Sequence, residues 1–295
     1  MTMLRDRNGV WIVTGQPTLT DELLLGTLHD RGVRADIVQA RELTKRALAG
    51  DVVLGRLDVR PTLDGVEPGL PELRRLERSG VSMLNRASAL LACHDKLQTA
   101  RMLGLVGVPH PATAHIRRDA SLPDLDYPAV VKPRFGSWGK DVTVCASRHE
   151  LLRRLDELRG RDWFRRQGVL VQELIPPLGY DLRIVVARNR VIGAIHRVAA
   201  EGDWRTNIAL GGRREAAQLS PDACGLAVAA AAAVGADLAG VDLLPTPGGG
   251  HVVLEVNGAV DFNHEYALAG RDPFGAAAEM IEAAVSTPSR ACRST

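Results

Sequence analysis

Two apolar runs, Gly240-Val241-Asp242-Leu243-Leu244 and His251-Val252-Val253-Leu254-Glu255-Val256-Asn257, flank the stretch Pro245-Thr246-Pro247-Gly248-Gly249-Gly250. This arrangement constrains the chain more than any other. Strand-like runs separated by a cluster of turn residues predict a hairpin. Side chains alternate along a strand, so pairing can bring Asp242 and Glu255 to one face, with Asn257 on the face of Glu255. Two carboxylates and an amide oxygen with little else polar around them form a hard donor set. Such a set suits Mg²⁺ or Mn²⁺ shared with the phosphates of a nucleotide. The same carboxylates could instead mark strand ends on the surface, and the rest of the chain has to decide between the two.

At 295 residues and 45% apolar content, the chain can build two or three compact lobes. A net charge of +2 gives no reason to expect a nucleic-acid or membrane partner. No N-terminal stretch pairs basic residues with a long apolar core and no apolar run approaches a membrane span, so the expected location is cytoplasmic. Cys93, Cys145, Cys224 and Cys292 are scattered without CxxC spacing, which predicts incidental or buried thiols rather than a disulfide or zinc site.

In the first third, Val10–Val13, Ala35–Val38 and Asp51–Leu54 read as short buried strands. Between the first two, Thr18–Asp21 offers helix-start chemistry and Leu23, Leu24 and Leu28 fall on one helical face. Strand–helix–strand alternation predicts a small parallel-sheet domain. Gly15-Gln16-Pro17 after the first strand does not match a dinucleotide fingerprint. Arg56 and Arg60 follow the third strand as weak anion-contact candidates, and solvated side chains account for them as readily. A polar helix runs from Pro71 to Gly80 with Leu73 and Leu76 inward, and a boundary falls near 85–88.

Asp95-Lys96 then opens a helix to Gly104, where a single lysine is ordinarily just a solvated charge. Lys132 is different, because it ends the apolar strand 127–133 directly before Pro133, with its stem packed and its ammonium at the strand mouth. The loop Arg134-Phe135-Gly136-Ser137-Trp138-Gly139-Lys140-Asp141 follows. Glycines let backbone N–H groups approach an anion, so the strand lysine and this loop could grip a polyphosphate; an ordinary β-hairpin explains the same residues. Helix 148–158 presents Leu151, Leu152, Leu155 and Leu158 on one face. Strand 169–175 ends in the polar pair Gln172-Glu173, and a hairpin about Arg188-Asn189-Arg190 places Asp181 and Arg183 on one polar face. The Ala-rich segment 222–234 reads as a core helix.

The ordered set is Asp95-Lys96, Val131-Lys132-Pro133, the glycine loop, Gln172-Glu173, Gly179-Tyr180-Asp181-Leu182-Arg183, Arg197, Trp204-Arg205-Thr206-Asn207 with Gly211-Gly212, Gly240-Val241-Asp242 and Leu254-Glu255-Val256-Asn257. It resembles the ATP-grasp superfamily and, within it, the RimK-like carboxylate–amine ligases, over nearly the whole chain. The continuation Gly258-Ala259-Val260-Asp261-Phe262-Asn263-His264-Glu265 departs from the Ser-Pro-Gly type of RimK proper and is similar to the LysX/ArgX-type amino acid ligase branch and to enzymes that add glutamate to a pterin cofactor. The resemblance implies an α/β (α+β) protein of ATP-grasp fold with an N-terminal parallel-sheet domain. The expected limits are 1–87 for that domain, 88–171 for a central lobe carrying the glycine lid, 172–288 for a C-terminal lobe and 289–295 for a tail.

By the same resemblance, Lys96 and Lys132 contact the phosphates of ATP, and Gly136, Ser137, Trp138 and Gly139 fold over them. Gln172, Glu173 and Leu174 meet adenine, Asp181 the ribose, and Asp242, Glu255 and Asn257 hold Mg²⁺ or Mn²⁺. Arg183, Arg197, Arg205 and Asn207 are the catalytic candidates, stabilising the oxyanion formed when an amine attacks an acyl phosphate. Phe262, Asn263 and Glu265 are weak substrate candidates. The implied reaction joins an α-amino acid (glutamate-like) or amine to a carboxylate of a small molecule, peptide or carrier protein. An acidic carrier protein facing arginines of 153–166 is a possible partner, and a homo-oligomer a possible assembly. A non-catalytic ATP-binding regulatory protein of the same fold is the alternative.

Overall fold

The computed structural model describes residues 8–118 and 122–286; Cys292 and the expected tail 289–295 lie outside them. The first part alternates β1 (Val10–Val13), α1 (Leu19–Asp30), β2 (Ala35–Val38), α2 (Ala40–Leu43), β3 (Val52–Gly55), α3 (Leu70–Arg78) and β4 (Ser82–Leu84). The strands form a parallel sheet in the order β2-β1-β3-β4. The expected strand–helix alternation thus takes its parallel form, with all four residues of β1 and of β3 buried. Asp21 starts α1 by accepting the Thr18 backbone N–H at 2.9 Å, which satisfies one donor the helix cannot use itself.

The chain continues through α4 (Ala87–His94), α5 (Lys96–Leu105), β5 (Thr113–Ile116), β6 (Ala129–Pro133), β7 (Thr143–Cys145), α6 (Arg148–Leu158), α7 (Asp162–Gln167) and β8 (Val169–Glu173). Here the sheet is antiparallel, ordered β5-β8-β6-β7. Helices α6 and α7 cover one face with Leu151, Leu158, Trp163 and Phe164. Leu152 does not join them and is 49% exposed, because it lies beyond the edge of the stripe set by Leu151, Leu155 and Leu158.

The last part is β9 (Tyr180–Ala187), β10 (Arg190–Val198), β11 (Arg213–Ala216), α8 (Pro221–Ala233), β12 (Leu238–Pro245), β13 (His251–Asn257) and α9 (Pro273–Ser286). Its antiparallel sheet runs β11-β10-β9-β12-β13. Helices α4 and α5 belong to this packing: Ala92, Cys93 and Leu103, with Val108 just after α5, share a core with β9, β12, β13 and α8. Helix α9 packs its Phe274, Ala277, Ala278 and Ile281 in one cluster with Ile12 of β1 and with Leu24 and Leu28 of α1.

Two buried polar clasps fix the first sheet, one against β12 and the turn after β13, the other against the loop that follows. Asn85, fully buried with φ +54°, donates to the carbonyls of Leu238 (2.7 Å) and Gly258 (2.8 Å) and accepts the N–H groups of Asp237 (2.8 Å) and Leu238 (3.0 Å). The other clasp is Arg56. The expectation of a solvated or anion-contacting side chain is overturned, because this guanidinium is 2% exposed, pairs with Asp21 and donates to the Val260 carbonyl at 2.9 Å. Among the described residues Cys93 and Cys145 are buried and Cys224 half-buried, all free. No helix among those residues is long and apolar enough to cross a membrane.

Candidate active site

The hairpin forms in the expected register: β12 pairs antiparallel with β13, and Asp242 lies opposite Glu255. The register slips between Asp242 and Leu243, so one extra residue, Leu254, bulges out of β13. Successive residues of a regular strand point to opposite faces, yet Leu254 and Glu255 both line the cleft, and the bulge is the reason. On the other side of β12, Asp242 lies opposite Arg183 of β9, while Asp181 of β9 lies opposite Arg197 of β10. An arginine of one strand thus lies beside a carboxylate of the next at Arg183–Asp242 and at Arg197–Asp181, while Asp242 and Glu255 are neighbouring carboxylates.

Each charge in this face has a partner. Arg183 grips Asp242 with two hydrogen bonds of 2.7 and 2.8 Å. Arg197 forks onto Asp181 at 2.8 and 2.5 Å and reaches Asp242 at 2.8 Å. Asp181, Arg197 and Asp242 are buried. Glu255 meets Lys96 at 2.9 Å. Burial alone would raise the Glu255 carboxyl, but Lys96, Arg183 and Lys132 together hold it well below the usual carboxylate range.

Lys96 is aimed by its helix end. It is the first residue of α5, whose cap Asp95 accepts N–H groups of Leu97 and Gln98 and also binds Arg134 at 2.6 and 2.5 Å. The helix start and the base of the glycine loop are thereby tied together, and the Lys96 ammonium also donates to the Gly136 carbonyl at 2.7 Å. Lys132 ends β6, is buried, and donates to Gln172 Oε1 at 2.6 Å, while Gln172 donates on to Thr113 at 2.8 Å. Burial and the nearby Lys96 pull the Lys132 ammonium down to about 7, against the opposing pull of Glu255.

A cleft opens between the two antiparallel sheets, lined on both sides by charged side chains and capped by the glycine loop. Of the site residues expected from sequence, Lys96, Lys132, Gly136, Ser137, Trp138, Gly139, Gln172, Glu173, Leu174, Asp181, Arg197, Arg205, Asn207, Asp242 and Glu255 line it. Arg183 and Asn257 abut it through Asp242 and Glu255, Asn257 donating to Glu255 at 3.3 Å. The Glu173 backbone N–H is already given to the Ala112 carbonyl at 2.9 Å, which removes that donor from any adenine contact.

Phe262 lies elsewhere. It is 4% exposed and packs on Phe274 with ring centroids 4.7 Å apart, so it is a core residue rather than a substrate contact. Asn263 donates to Glu265 at 2.8 Å and Glu265 meets Arg214 at 3.4 Å, and neither residue is among those that line the cleft. The site also includes Thr206, which binds Asp181 and has no expected role beyond its place in the motif, and the apolar walls Val130, Leu244 and Leu254. Strand alternation contains the first two of those walls, since Val130 and Leu244 lie two residues from Lys132 and Asp242 on the same faces.

The glycine loop is shaped for closeness. Gly139 has φ +71°, and a Cβ there would lie 3.0 Å from Asn207 Oδ1 and 3.1 Å from Leu210. The loop therefore meets the segment after β10 over the cleft. Arg205 is bracketed there by Asp203 at 3.1 and 2.9 Å, and its hydrogen bonds hold the Asp203 carboxyl down to about 2.

For a divalent cation, Asp242, Glu255 and Asn257 offer oxygen donors only, which fits Mg²⁺ rather than a soft metal. Among the described residues no three His, Cys, Asp or Glu side chains converge. Such a site depends on oxygens brought by a ligand, as Mg²⁺ on nucleotide phosphates does. Four cations (Lys96, Lys132, Arg183, Arg197) face three carboxylates (Asp181, Asp242, Glu255), a balance that favours a polyanion.

Known proteins resemble this chain in sequence and in fold. Residues 86–283 match the family model of the RimK-like ATP-grasp domain. A probable alpha-L-glutamate ligase of Aeromonas salmonicida is 32% identical over 79% of this chain and 77% of its own length. Among solved structures, a RimK domain ATP-grasp protein from Sphaerobacter thermophilus superposes with a TM-score of 0.69 at 23% identity, covering 92% of this chain and 98% of that one. The ATP-grasp ligase PsnB, in complex with a precursor peptide and AMPPNP, gives 0.67 at 18% identity over 97% of this chain and all of its own. At those identities the two structures speak for the fold.

Proposed function

The chain belongs to the RimK-like ATP-grasp family and is an ATP-dependent carboxylate–amine ligase, and from that premise we propose that it joins glutamate or a close α-amino acid to the carboxylate of a small molecule or peptide through an acyl phosphate. The observation that carries this reading is the convergence, in one cleft, of Lys96, Lys132 and Arg197 with Asp242 and Glu255. Glutamate is favoured by the relative's name, and a peptide donor by the PsnB complex. An acidic carrier protein has less support at arginines 153–166. Arg154, Arg159, Arg161, Arg165 and Arg166 already pair with acids of this chain.

In this mechanism a carboxylate oxygen of the donor attacks the γ-phosphorus of ATP and ADP leaves with the bridging oxygen. The amine nitrogen then attacks the acyl carbon, the C–O bond to phosphate breaks, and the nitrogen gives up a proton. The phosphoryl step needs positioned positive charge more than covalent help. Lys96, ion-paired to Glu255 and bonded to the glycine loop, and Lys132, set by Gln172, supply that charge at fixed positions. Asp242, Glu255 and Asn257 would hold Mg²⁺, which neutralises charge on the phosphates. Arg197, with Arg183 behind Asp242, is oriented for the oxyanion of the second step, and Arg205 and Asn207 face the amine from the overlying loop. The aligned donors cost no reorganisation at the moment of reaction.

The test is phosphate release from Mg·ATP with glutamate and a panel of carboxylic acids and short peptides, with products weighed by mass spectrometry. The expected product is a donor heavier by one glutamate less one water, with ADP and phosphate in equal amount. AMP and pyrophosphate as products, or amide formation with other amino acids but never glutamate, would overturn the proposal.

A further inference from the structure

The carboxylate of Asp181 holds two parts of the site at once. Its oxygens take both arms of the Arg197 fork at 2.8 and 2.5 Å, and Oδ2 also accepts the Thr206 hydroxyl at 2.6 Å. A carboxylate offers about four acceptor positions, so three are filled within the protein and Asp181 works as a buried anchor. Thr206 stands between Arg205 and Asn207, in the segment that arches over the cleft after β10.

Building on the ligase reading above, we propose that Thr206 is a positioning residue whose hydroxyl latches this segment to Asp181, so that one carboxylate sets both the Arg197 guanidinium and the seat of Arg205 and Asn207. Three contacts make the segment move with Thr206. The Asn207 carbonyl accepts Leu210 N–H at 2.9 Å and Gly212 N–H at 3.3 Å, closing a tight turn directly after Thr206. A Cβ at Gly212 would lie 2.7 Å from the Thr206 carbonyl, so the turn is packed against its own base. Finally, Asn207 lies against Gly139, and the latch thereby fixes where the segment meets the glycine loop. A hydroxyl on an ionised, buried acceptor is a short charge-assisted bond, stronger than a neutral one. Its methyl-for-hydroxyl replacement keeps the shape and deletes the bond.

The shape-preserving variant Thr206→Val and the hydroxyl-preserving variant Thr206→Ser separate latch from packing. Two readouts are taken: acceptor-dependent turnover, and the rate of tryptic cleavage after Arg205, followed by the mass of the fragment. Loss of a hydrogen bond to a charged group predicts that Thr206→Val lowers kcat/KM for the amine about tenfold or more while KM for ATP stays within about twofold. Cleavage after Arg205 speeds up about fivefold as the segment opens locally. Thr206→Ser recovers both. If Val lowers the melting temperature by itself, Thr206→Ala replaces it in both readouts. The proposal is overturned if Val behaves as the parent protein in cleavage and turnover, or if Ser is as impaired as Val. If no pair of substrates turns over, the ligase reading fails, and the cleavage comparison still decides the latch.

Discussion

Replacing Lys132 with Met exposes the energetic cost at which this cleft keeps its charge. Lys132 is 5% exposed, and burial with Lys96 nearby pulls its ammonium from 10.5 down to about 7. At 1.36 kcal/mol per tenfold change in proton affinity, keeping that group charged below pH 7 costs the free fold on the order of 4–5 kcal/mol. Methionine fills the same stem without charge but leaves Gln172 Oε1 without the Lys132 donor, a loss of about 1–3 kcal/mol. The net gain is about 2 kcal/mol near neutral pH, or several degrees in Tm. The sign with pH follows from proton counting. Between pH 7 and 10.5 the unfolded chain holds the lysine proton that the folded site has released, so the parent protein gains stability as pH rises through this window. Below pH 7 both states are protonated and this group adds no slope. Calorimetry of both proteins at pH 6.5, 8.0 and 9.5, with and without Mg·ATP, reads the effect. Lys132→Met should melt higher at pH 6.5, lose that advantage toward pH 9.5, and gain little from Mg·ATP. A gap in Tm that stays constant with pH, or a variant less stable at pH 6.5, would refute the reasoning.

The other predictions are briefer. Glu255→Gln should lower kcat by about 10²–10³, since it removes the charge that fixes Lys96 and one of the oxygens offered to Mg²⁺; single-turnover kinetics measures it. Arg56→Met should cost about 3–5 kcal/mol because the buried Asp21 carboxylate loses its counter-charge, and Arg56→Met with Asp21→Asn, which removes the charge, should regain part of it in urea unfolding. His94 is buried with its Nε2 unpartnered, and burial pushes its imidazole below the ordinary 6.5. Its unfolded form therefore binds the extra proton, and stability should fall as pH drops below 6.5, a slope that His94→Gln should flatten.

The site was more legible in the sequence than the way its parts are held. Period-two alternation and one turn cluster were enough to pair Asp242 with Glu255, since both signals are local. Lys132 before Pro133 was readable for the same reason. Arg56 was not, because its partners, Asp21 and Val260, are 35 and 204 residues away and a lone arginine after a strand carries no sign of them. The same holds for α4 and α5, which their position in the chain assigns to the central lobe and whose small apolar faces pack on the five-stranded sheet. Phe262 misled as a neighbour of motif residues; its aromatic partners, Tyr266 and Phe274, explain it as core. Thr206 had no local signal of its own, since its role comes from a carboxylate 25 residues earlier.

The acyl phosphate is the centre of this account, and ¹⁸O transfer tests it most directly. With the donor carboxylate labelled in both oxygens, the enzyme should deliver one ¹⁸O atom to inorganic phosphate for each amide formed, and ADP should carry none. Phosphate free of label while amide accumulates would contradict attack of the carboxylate on the γ-phosphorus, and with it the assignment of Lys96, Lys132 and Glu255 to that step.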